Sequence, residues 1–560
     1  MNKVFLVLPL LLLQTVLFGQ LNLKTETEQR LYDHVATLAS DEMQGRETGT
    51  KYELMAAGYI VDQLRAVGIK PAGLNNTSFL QPFEVLAGKN YGQENKLSIN
   101  GQQHQLKTEY FPLEYSGNAS ATGKLVYVGH GIHSTNSKLN DYRKIKKPAG
   151  KIFVMEAGIP AFDNPHAEEG KFANLRHKLN YAETIGAAGV IIINTSNSTQ
   201  DPFPDFTRKL KTVKMPVVFL KDGASLLKMN NKVAKITVDM IPDRRTAHNV
   251  IGFDDNGAAS TIIIGAHYDH LGHGHFGSRH TGHDHPIHNG ADDNASGVAI
   301  LLELAKEFQE PGHEAFNYLY MAFSGEEMGL LGSSFFVKNP TIDLSTVDYM
   351  LNLDMVGRMK NRTLIVNGTG TSPLWENLLA KAQPKDQALN VTANQSGTGP
   401  SDHTSFYLKD IPVLAFFSGV HKDYHTPADD TNTLNYKGMA QILDFVHGIV
   451  DHSTDNAADF AFSKTKENKQ TKRRRFNVTL GVMPNYGFTG EGMMIDGVTE
   501  GKAAENAGMK AEDIVTQMGS IKVNDIYDYM DALEKYKPGD EIEVEVLRDK
   551  EIVKTTVKFD

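Results

Sequence analysis

The sequence predicts an α/β protein in which a mixed, mostly parallel sheet is flanked by helices, interrupted by a β-rich insert and followed by a small β-rich module. Continuous apolar runs such as STIIIGAHYD and IPVLAFFSG alternate with the amphipathic stretch ASGVAILLELAKEFQE, which is typical of strands covered on both faces. Over residues 118–244 the pattern changes to short apolar strands separated by polar loops. These two patterns predict separate modules.

Length and composition narrow the classes of protein to which the chain can belong. Its 560 residues suffice for several domains, and its 40% hydrophobic and 22% charged residues are ordinary for a water-soluble globular protein. The net charge of −10 implies no broad basic surface, so nucleic acid is not expected as a partner. The absence of cysteine excludes disulfides, thiolate zinc sites and cysteine nucleophiles.

Residues 1–20 are predicted to be a signal peptide. The run over residues 4–18 is apolar except for Gln14, which suits a signal-peptide core and is shorter than the roughly 20 residues of a spanning helix. A retained membrane anchor is the alternative, because Leu17 is bulky for its position before a cut after Gly19. No later segment is apolar enough to span a bilayer. The mature chain is therefore expected to be exported, either periplasmic or secreted.

Five segments follow the predicted signal peptide. Two helical patterns and then a strand occupy residues 21–117, the β-rich insert occupies 118–244, and the α/β pattern occupies 245–453. Residues 454–475 are polar and end in KTKENKQTKRRR, which predicts a linker, with a tether to an anionic surface or a processing site as the alternative. The last module occupies residues 476–560.

Acidic residues and histidines follow the ends of four predicted strands in the α/β segment. In chain order they are His267 with Asp269, Glu326 with Glu327, Asp354, and Tyr424 with His425. Asp292 and Asp293 lie in the turn NGADDNASG, directly before a helix. Because open α/β sheets bind ligands beyond the carboxyl ends of their strands, we expect these side chains to converge.

Several carboxylates that converge in one site repel one another, so positive charge must be present among them. Two like charges 4 Å apart repel by roughly 4 kcal/mol at an effective dielectric constant near 20. Imidazole and carboxylate without thiolate form the ligand set of catalytic zinc. We therefore expect two divalent ions that share Asp292, with His267 and Glu327 completing one site and Asp354 and His425 completing the other. With one bridging hydroxide, the formal charges of this centre sum to zero.

The order of these motifs resembles one enzyme family. His-x-Asp, GADDNASG, Glu-Glu, LDM and HTP follow one another as in the co-catalytic di-zinc exopeptidases, which include bacterial leucyl aminopeptidases and aminopeptidase Y. LASDEMQGRETGT and LQPFEV resemble the N-terminal part of that family. Each motif alone also suits an ordinary capped helix or surface pair, so their joint order carries the resemblance. It implies a zinc exopeptidase fold divided between residues 21–117 and 245–453.

The resemblance implies a metal-binding role for five residues. His267 would bind one zinc ion, Asp292 would bridge two, Glu327 and Asp354 would bind one each, and His425 would complete the second site. The implied cofactor is two Zn²⁺ per chain. A cis peptide bond between Asp292 and Asp293 is also implied.

Three further residues have implied roles in catalysis. Glu326, which is adjacent to a ligand without being one, would be the general base. Asp269 would fix the orientation of His267. Tyr424 would donate a hydrogen bond to the developing oxyanion.

The flanking modules carry resemblances of their own. LRHKLNYAETIGAAG followed by GVIIIN resembles a protease-associated domain, which residues 118–244 would form. The sequence from GMMIDGVTEG to KPGDEIEVEVLRD resembles a PDZ domain of bacterial periplasmic proteases, which implies a PDZ β-sandwich over residues 476–560. In that family Leu480, Gly481 and Val482 would offer backbone N–H groups to a peptide carboxylate.

These resemblances imply an exported zinc aminopeptidase that acts on peptides and binds a peptide or protein at its PDZ domain. A zinc carboxypeptidase of the same fold is the alternative, since the metal ligands are common to both. Glutaminyl cyclases are more distant members of the same family, and their chemistry is disfavoured here because that branch uses one metal and a modified ligand set. A catalytically silent peptide-binding scaffold would lack a ligand or the base, and all are present.

Two histidine-containing segments near these motifs have no assigned role in catalysis. Residues 270–288 hold a dense group of histidines and are expected to form a solvated loop beside the site, with metal capture as the alternative. SDHTSF, around Asp402 and His403, is expected to support the site without binding metal.

Overall fold

The computed structural model describes the chain from residue 23 to residue 559, apart from several short segments. The described ranges are 23–134, 139–159, 175–195, 201–202, 212–280, 284–384, 388–454, 460–465, 478–484, 488, 490–498, 502–533, 535–537 and 539–559. The predicted signal peptide therefore lies outside the described residues. Within the described part of the chain, no helix is both long and apolar enough to cross a bilayer.

The helices are numbered in chain order. They are α1 Glu26–Leu38, α2 Lys51–Ala66, α3 Leu175–Thr184, α4 Gly297–Glu307, α5 Leu331–Lys338, α6 Trp375–Lys381, α7 His403–Tyr407, α8 Tyr436–Ser453, α9 Ala503–Asn506 and α10 Ile526–Leu533.

The strands of the first half of the chain are β1 Lys70–Pro71, β2 Leu80–Tyr91, β3 Lys96–Ile99, β4 Gln102–His104, β5 Tyr110–Pro112, β6 Ala119–Tyr127, β7 Ile152–Glu156, β8 Gly189–Ile193, β9 Val217–Leu220, β10 Val233–Val238, β11 Met240–Asp254 and β12 Thr261–His267. Those of the second half are β13 Asn317–Phe323, β14 Val347–Leu353, β15 Thr363–Asn367, β16 Asn390–Asn394, β17 Val413–Phe417, β18 Val482–Pro484, β19 Met493–Val498, β20 Ile514–Met518, β21 Ile521–Lys522, β22 Glu541–Arg548 and β23 Glu551–Lys558.

The largest sheet is mixed, with a parallel centre, as the sequence predicts. Its order is β1-β11-β13-β12-β14-β17-β15-β16, with β2 paired to β11. The four central strands β13, β12, β14 and β17 are parallel, whereas β11 and β15 pair with them in the antiparallel direction. The carboxyl ends of the four central strands consequently meet at one edge of the sheet.

Helices cover both faces of this sheet because its central strands are apolar on both sides. Ile262 and Ile264 of β12 pack in the core beneath α1, α2, α4, α6 and α8, while Ile263 faces the core beneath α5 and α7. All three are fully buried, and each such side chain contributes about 1.5–3 kcal/mol by leaving water. The continuous apolar runs of the sequence therefore predict the right architecture.

The helices that flank the candidate site begin at capping residues. Thr25 and Thr50 accept hydrogen bonds from backbone N–H groups in the first turns of α1 and α2. Gly68, which has φ +94°, lies just beyond the end of α2. Regular α4 begins only at Gly297, because the preceding residues form a π-helical turn over Ala291–Ser296.

The insert forms a second, eight-stranded sheet in the order β4-β3-β10-β6-β7-β8-β9-β5, with β6 to β9 parallel. Its helix α3 carries Lys178, whose side chain is buried and whose Nζ donates to three carbonyl oxygens, those of Glu156, Ala157 and Gly158, at 2.9–3.0 Å. Those bonds compensate for burying an ammonium group.

The insert is joined to the large sheet through β2 and β11. These strands pair in an antiparallel ribbon from Val250–Leu80 to Met240–Tyr91, with a register shift between Asp243 and Arg244. The predicted boundary at residue 244 therefore falls inside a continuous strand. The far end of the ribbon leads directly into β10 of the insert.

The last module is a six-stranded sheet in the order β18-β19-β20-β22-β23, with β21 paired to β20. It has its own core, which includes Leu480, Ile495 and Val546. The predicted linker does not lie wholly free of the peptidase-like module, because Phe460 packs against Trp375 at a ring-centroid distance of 5.2 Å. Residues 466–477, with the basic end of that linker, lie outside the described part of the chain.

Candidate active site

The site lies at the carboxyl edge of the parallel strands. β12 ends at His267, Glu326 and Glu327 follow β13 by three and four residues, and Asp354 follows β14 directly. His425 arrives on the loop after β17. The fold therefore brings together side chains that lie up to 158 positions apart in the chain.

One group of donors forms around His267. Its Nε2 lies 3.3 Å from Asp293 Oδ1 and 3.4 Å from Asp354 Oδ1. Burial lowers the pKa of this imidazole, but the carboxylates of Glu326 and Asp354 outweigh burial and raise it well above the usual range. One atom from each of His267, Asp293 and Asp354 could bind the same cation.

A second group forms on the other side of Asp293. His425 Nε2 lies 3.1 Å from Asp293 Oδ2 and 3.2 Å from Glu327 Oε2. His270 Nδ1 lies 2.8 Å from Glu327 Oε1 and 3.8 Å from Asp293 Oδ2. Burial lowers the pKa of His425, but the carboxylates of Asp293 and Glu327 raise it to about 10.

The structure places Asp293, not Asp292, between the two groups, so the predicted position of Asp292 is wrong. The Asp292 carboxylate instead accepts from the Gly357 N–H at 2.6 Å and the Ser296 hydroxyl at 3.1 Å, and faces His421 at 3.1 Å. The cis peptide bond joins Asp293 to Asn294 instead of Asp292 to Asp293. The predicted pairing is also exchanged, since His267 lies with Asp354 and His425 lies with Glu327.

The pKa shifts of the adjacent carboxyl groups of Asp292 and Asp293 distinguish the two residues in the same way as their positions do. Burial favours the neutral form of both, and it raises the pKa of Asp292. At Asp293 the imidazoles of His267 and His425 overcome burial and hold the pKa well below its usual range. Asp293 is thus the carboxylate that its surroundings keep ionised.

The side chains of two buried residues, Asp429 and Arg46, form hydrogen bonds with the backbone of the turn that carries Asp293. Asp429 accepts hydrogen bonds from the N–H groups of Asp292 and Asp293 at 3.0–3.1 Å. The fully buried Arg46 donates to the carbonyls of Asn289 at 2.7 Å and Gly290 at 3.0 Å. These contacts fix the direction of the turn just before α4.

Gly290 is required in that turn. It has φ +58°, and a Cβ atom at this position would lie 2.2 Å from the Asp293 carbonyl oxygen and 2.5 Å from a ring carbon of His270. A side chain could not be accommodated between these neighbours. Gly290 therefore allows the backbone to take the path that precedes Asp292 and Asp293.

Asp269, Glu326 and Tyr424 lie beside these groups. The Asp269 backbone oxygen is 3.2 Å and its Oδ1 is 3.7 Å from His267 Nδ1, and Oδ1 also accepts from the Glu326 N–H at 3.2 Å. The Tyr424 ring stacks on His425 at 3.8 Å between centroids. Burial and the nearby carboxylates raise the pKa of Tyr424, which keeps its hydroxyl protonated.

The Oε2 atom of Glu326 lies 4.0 Å from Nε2 of His267. Burial raises its pKa well above the usual range, and Asp354, Glu327 and Asp402 add to the shift while His267 opposes it. Its protein surroundings therefore favour the protonated form of this carboxyl.

Sequence reasoning missed four residues of this region: His270, Asp293 as the shared donor, His421 and Asp429. His270 has a signal in the sequence, because it directly follows the His-x-Asp motif. His421 and Asp429 flank the HTP motif at four residues on either side of His425. Their role became visible only through the contacts that the folded loop makes with the turn before α4.

Asp402 and His403 are buried behind the candidate site. Both Asp402 oxygens and both His403 ring nitrogens are buried without a hydrogen-bond partner in the described part of the chain. Burial raises the pKa of Asp402 to about 7 and lowers that of His403 to about 4. Both therefore favour their neutral forms, which suits the predicted supporting position.

The histidine-rich loop lies over the site, as expected, although residues 281–283 are outside the described part. His273 Nε2 pairs with Gln44 Oε1 at 2.9 Å, and His288 Nε2 pairs with the Ser278 hydroxyl at 2.8 Å. The Gly277 carbonyl lies 3.0 Å from His425 Nδ1. This loop therefore fixes the ring of His425.

The residues predicted for peptide binding lie in the last module, at the start of an edge strand. Leu480 is buried, Gly481 has φ +72°, and Val482 begins β18. Among the described strands, β18 pairs with β19 on one side and has no partner on the other, which places it at the end of this sheet. An added strand could pair with the other side.

The donor set of the candidate site fits divalent cations. Asp293, Asp354 and Glu327 supply oxygen, His267 and His425 supply nitrogen, and no cysteine exists in the chain. His425 Nε2 and His270 Nε2 are buried and form no hydrogen bond within the described residues. Buried carboxylates and imidazoles in this arrangement match the ligand chemistry of catalytic zinc sites.

A mixed sheet with histidine and carboxylate donors converging at the carboxyl edge defines a metallohydrolase-like α/β protein. Residues 249–450 match the model of peptidase family M28, residues 121–226 match the PA domain, and residues 463–559 match the PDZ domain. The chain therefore contains a region that matches peptidase family M28, a region that matches the PA domain and a C-terminal region that matches the PDZ domain.

Several known proteins are similar to this chain. Aminopeptidase YwaD of Bacillus subtilis is 29% identical over 291 residues, which cover 49% of this chain and 58% of YwaD. The probable lipoprotein aminopeptidase LpqL of Mycobacterium tuberculosis is 26% identical over 398 residues, which cover 67% of this chain and 70% of LpqL. Against YwaD, the chain therefore spans less than two thirds of the relative's length.

The solved structure of BSAP, a zinc aminopeptidase from Bacillus subtilis, is also similar. It is 24% identical, the match covers 76% of this chain and 95% of the other, and the TM-score is 0.47.

Proposed function

We propose that this chain is an exported zinc aminopeptidase that hydrolyses the first peptide bond of peptides with a free N-terminus. The observation that carries the proposal is the pair of donor groups that share Asp293 beside the carboxyl of Glu326, whose side chain is 12% exposed. Two such groups with a general base next to them are the parts that two-metal peptide hydrolysis needs.

We assign His267, Asp293 and Asp354 to one zinc ion and Asp293, Glu327 and His425 to the other, with Asp293 replacing Asp292 as the bridging residue. When bound, the two ions would polarise the scissile carbonyl and lower the pKa of water. His270 would orient the Glu327 carboxylate, because its Nδ1 lies 2.8 Å from Glu327 Oε1.

The chain's own groups divide the proton transfers. Glu326 accepts a proton from the attacking water and delivers it to the departing amine. Asp269 supports this in two ways, because it accepts from the Glu326 N–H and lies against His267 Nδ1. The protonated Tyr424 hydroxyl donates to the oxygen on which negative charge develops.

The charge around the site favours a substrate ammonium group over a substrate carboxylate. Glu326, Glu327 and Asp354 present carboxylates, and Arg358 beside them is already paired with Asp423. A carboxypeptidase needs a cation to hold the substrate's carboxyl terminus, and Arg245 is likewise engaged, by Glu47 and Asp243.

Peptide shortening tests the function. A mixed peptide library incubated with the full chain should lose residues from the amino end, as seen by mass spectrometry, and a chelator should stop the loss. Glu326→Gln should keep its zinc content and lower the rate by about 10²–10⁴-fold, the usual contribution of a general base. Shortening from the carboxyl end would identify the carboxypeptidase alternative, and no shortening would contradict catalysis.

The bridging assignment predicts unequal effects for two adjacent substitutions. Asp293→Ala should lower bound zinc by more than one ion per chain, because both donor groups lose a ligand. Asp292→Ala is the matched control and should keep more zinc, since its carboxylate contacts Gly357, Ser296 and His421. Elemental analysis of both purified variants measures this, and a larger loss in Asp292→Ala would overturn the assignment.

We further propose that the edge of β18 binds the carboxyl-terminal segment of a peptide as an added strand. The position of β18 at the end of the sheet of described strands and the Leu480-Gly481-Val482 turn support this. Glu326→Gln, which cannot trim the probe, should bind peptides with a free carboxyl terminus more tightly than the same peptides amidated. Equal affinities in isothermal titration would contradict carboxylate recognition.

Export rests on the apolar run over residues 4–18, which has the length of a signal-peptide core. The mature protein should begin near residue 20. N-terminal sequencing of protein recovered from outside the cytoplasm checks this, and an intact Met1 there would favour the retained anchor.

A further inference from the structure

A cluster of metal-binding side chains lies at the edge of the peptidase sheet opposite the candidate active site. His313 is in the loop between α4 and β13, His447 and Asp451 lie one turn apart on α8, and Glu307 is the last residue of α4. The eleven residues of α4 rise about 16 Å from the turn that carries Asp293. The cluster is therefore separate from the candidate active site.

The donor atoms of this cluster have the spacing of ligands to one ion. His313 Nδ1 lies 3.3 Å from Asp451 Oδ1, and His447 Nδ1 lies 3.2 Å from Asp451 Oδ2. One donor atom from each of the three residues lies within 4.8 Å of the others. Tetrahedral zinc, with bonds of about 2.0–2.2 Å to nitrogen and oxygen, separates adjacent donors by about 3.3–3.5 Å.

The imidazole rings of His313 and His447 pack against the core residue Phe308 as well as against each other. Phe308, which is buried, stacks on His447 with 5.1 Å between ring centroids and contacts His313 at the same distance. The two histidine rings meet edge to face at 4.9 Å. This packing limits ring rotation, so little side-chain entropy remains to be lost on binding an ion.

Glu307 supplies the contact that metal-bound histidines usually have on their second nitrogen. Its Oε2 lies 3.9 Å from His447 Nε2, while Nδ1 of the same ring faces Asp451. Burial and the Asp444 carboxylate raise the pKa of Glu307 to about 7, and a divalent cation beside Asp451 would favour the ionised form of Glu307. The side-chain exposures of 14% for His313 and 44% for Asp451 leave one side open for water and for entry of the ion.

We propose that His313, His447 and Asp451 form a further zinc site that stabilises the peptidase module and takes no part in hydrolysis. Imidazole and carboxylate ligands suit borderline divalent ions such as Zn²⁺. The ion would tie the loop after α4 to α8, two elements separated by 134 positions in the chain. A link between such distant positions restricts the unfolded chain far more than the folded one.

Zinc content of matched variants tests this site. After equilibration with excess zinc and removal of the free ion, the wild-type chain should hold one more zinc ion than His447→Gln, as measured by elemental analysis. His313→Gln should show the same deficit. His452→Gln is the matched control, because His452 is an exposed histidine on the same helix and should leave the count unchanged.

The difference between variants isolates the site, since zinc at the candidate active site or in the histidine-rich loop contributes equally to each chain. Peptide hydrolysis should be the same in all of them, and the result can be obtained whether or not hydrolysis is found. Circular dichroism checks that each variant is folded, and Asp451→Asn, at the most exposed position, provides a third removal of a ligand. Equal zinc in wild type, His447→Gln and His313→Gln would overturn the proposal and leave these residues as a surface ion-pair group.

Discussion

Mutual repulsion among closely spaced carboxylates at one edge of the sheet is the constraint on which the architecture of the candidate site depends. Asp293, Glu326, Glu327 and Asp354 are drawn together by the parallel strands, and each would be more stable further from the others. The fold opposes this with the imidazoles of His267, His270 and His425. Asp429 and Arg46, which bind backbone and not ligand side chains, hold the turn before α4 in place. A divalent cation bound between these carboxylates would relieve the repulsion among them.

Much of the fold could be predicted because its signals are local. The apolar runs of β12, β13, β14 and β17 are covered on both faces, so their hydrophobicity is continuous and their ends are clear in the sequence. Their parallel order then places His267, Glu327 and Asp354 at one edge without further information. The boundary of the insert could not be located in the same way, because β11 carries one unbroken strand from one sheet to the other.

The choice between Asp292 and Asp293 could not be made from the sequence because it depends on a fraction of a turn of backbone. Both are acidic, both precede α4, and either charge count gives a neutral centre. Gly290, with φ +58°, and the π-helical turn rotate one side chain toward His267 and the other toward His421. Likewise, nothing local to His313 indicates His447, because their proximity exists only once α8 packs beside the end of α4.

The ribbon formed by β2 and β11 restricts how the insert can change during evolution. In a paired strand, adding or removing one residue exchanges the inward and outward side chains of everything beyond it. Such a change near Val250 would turn Phe83 and Ala247 away from the small core that they share. At the register shift between Asp243 and Arg244, one extra residue is accommodated while the pairs on both sides are kept. Family members that reposition this insert should therefore differ at that shift, and keep the ribbon on its peptidase side constant in length.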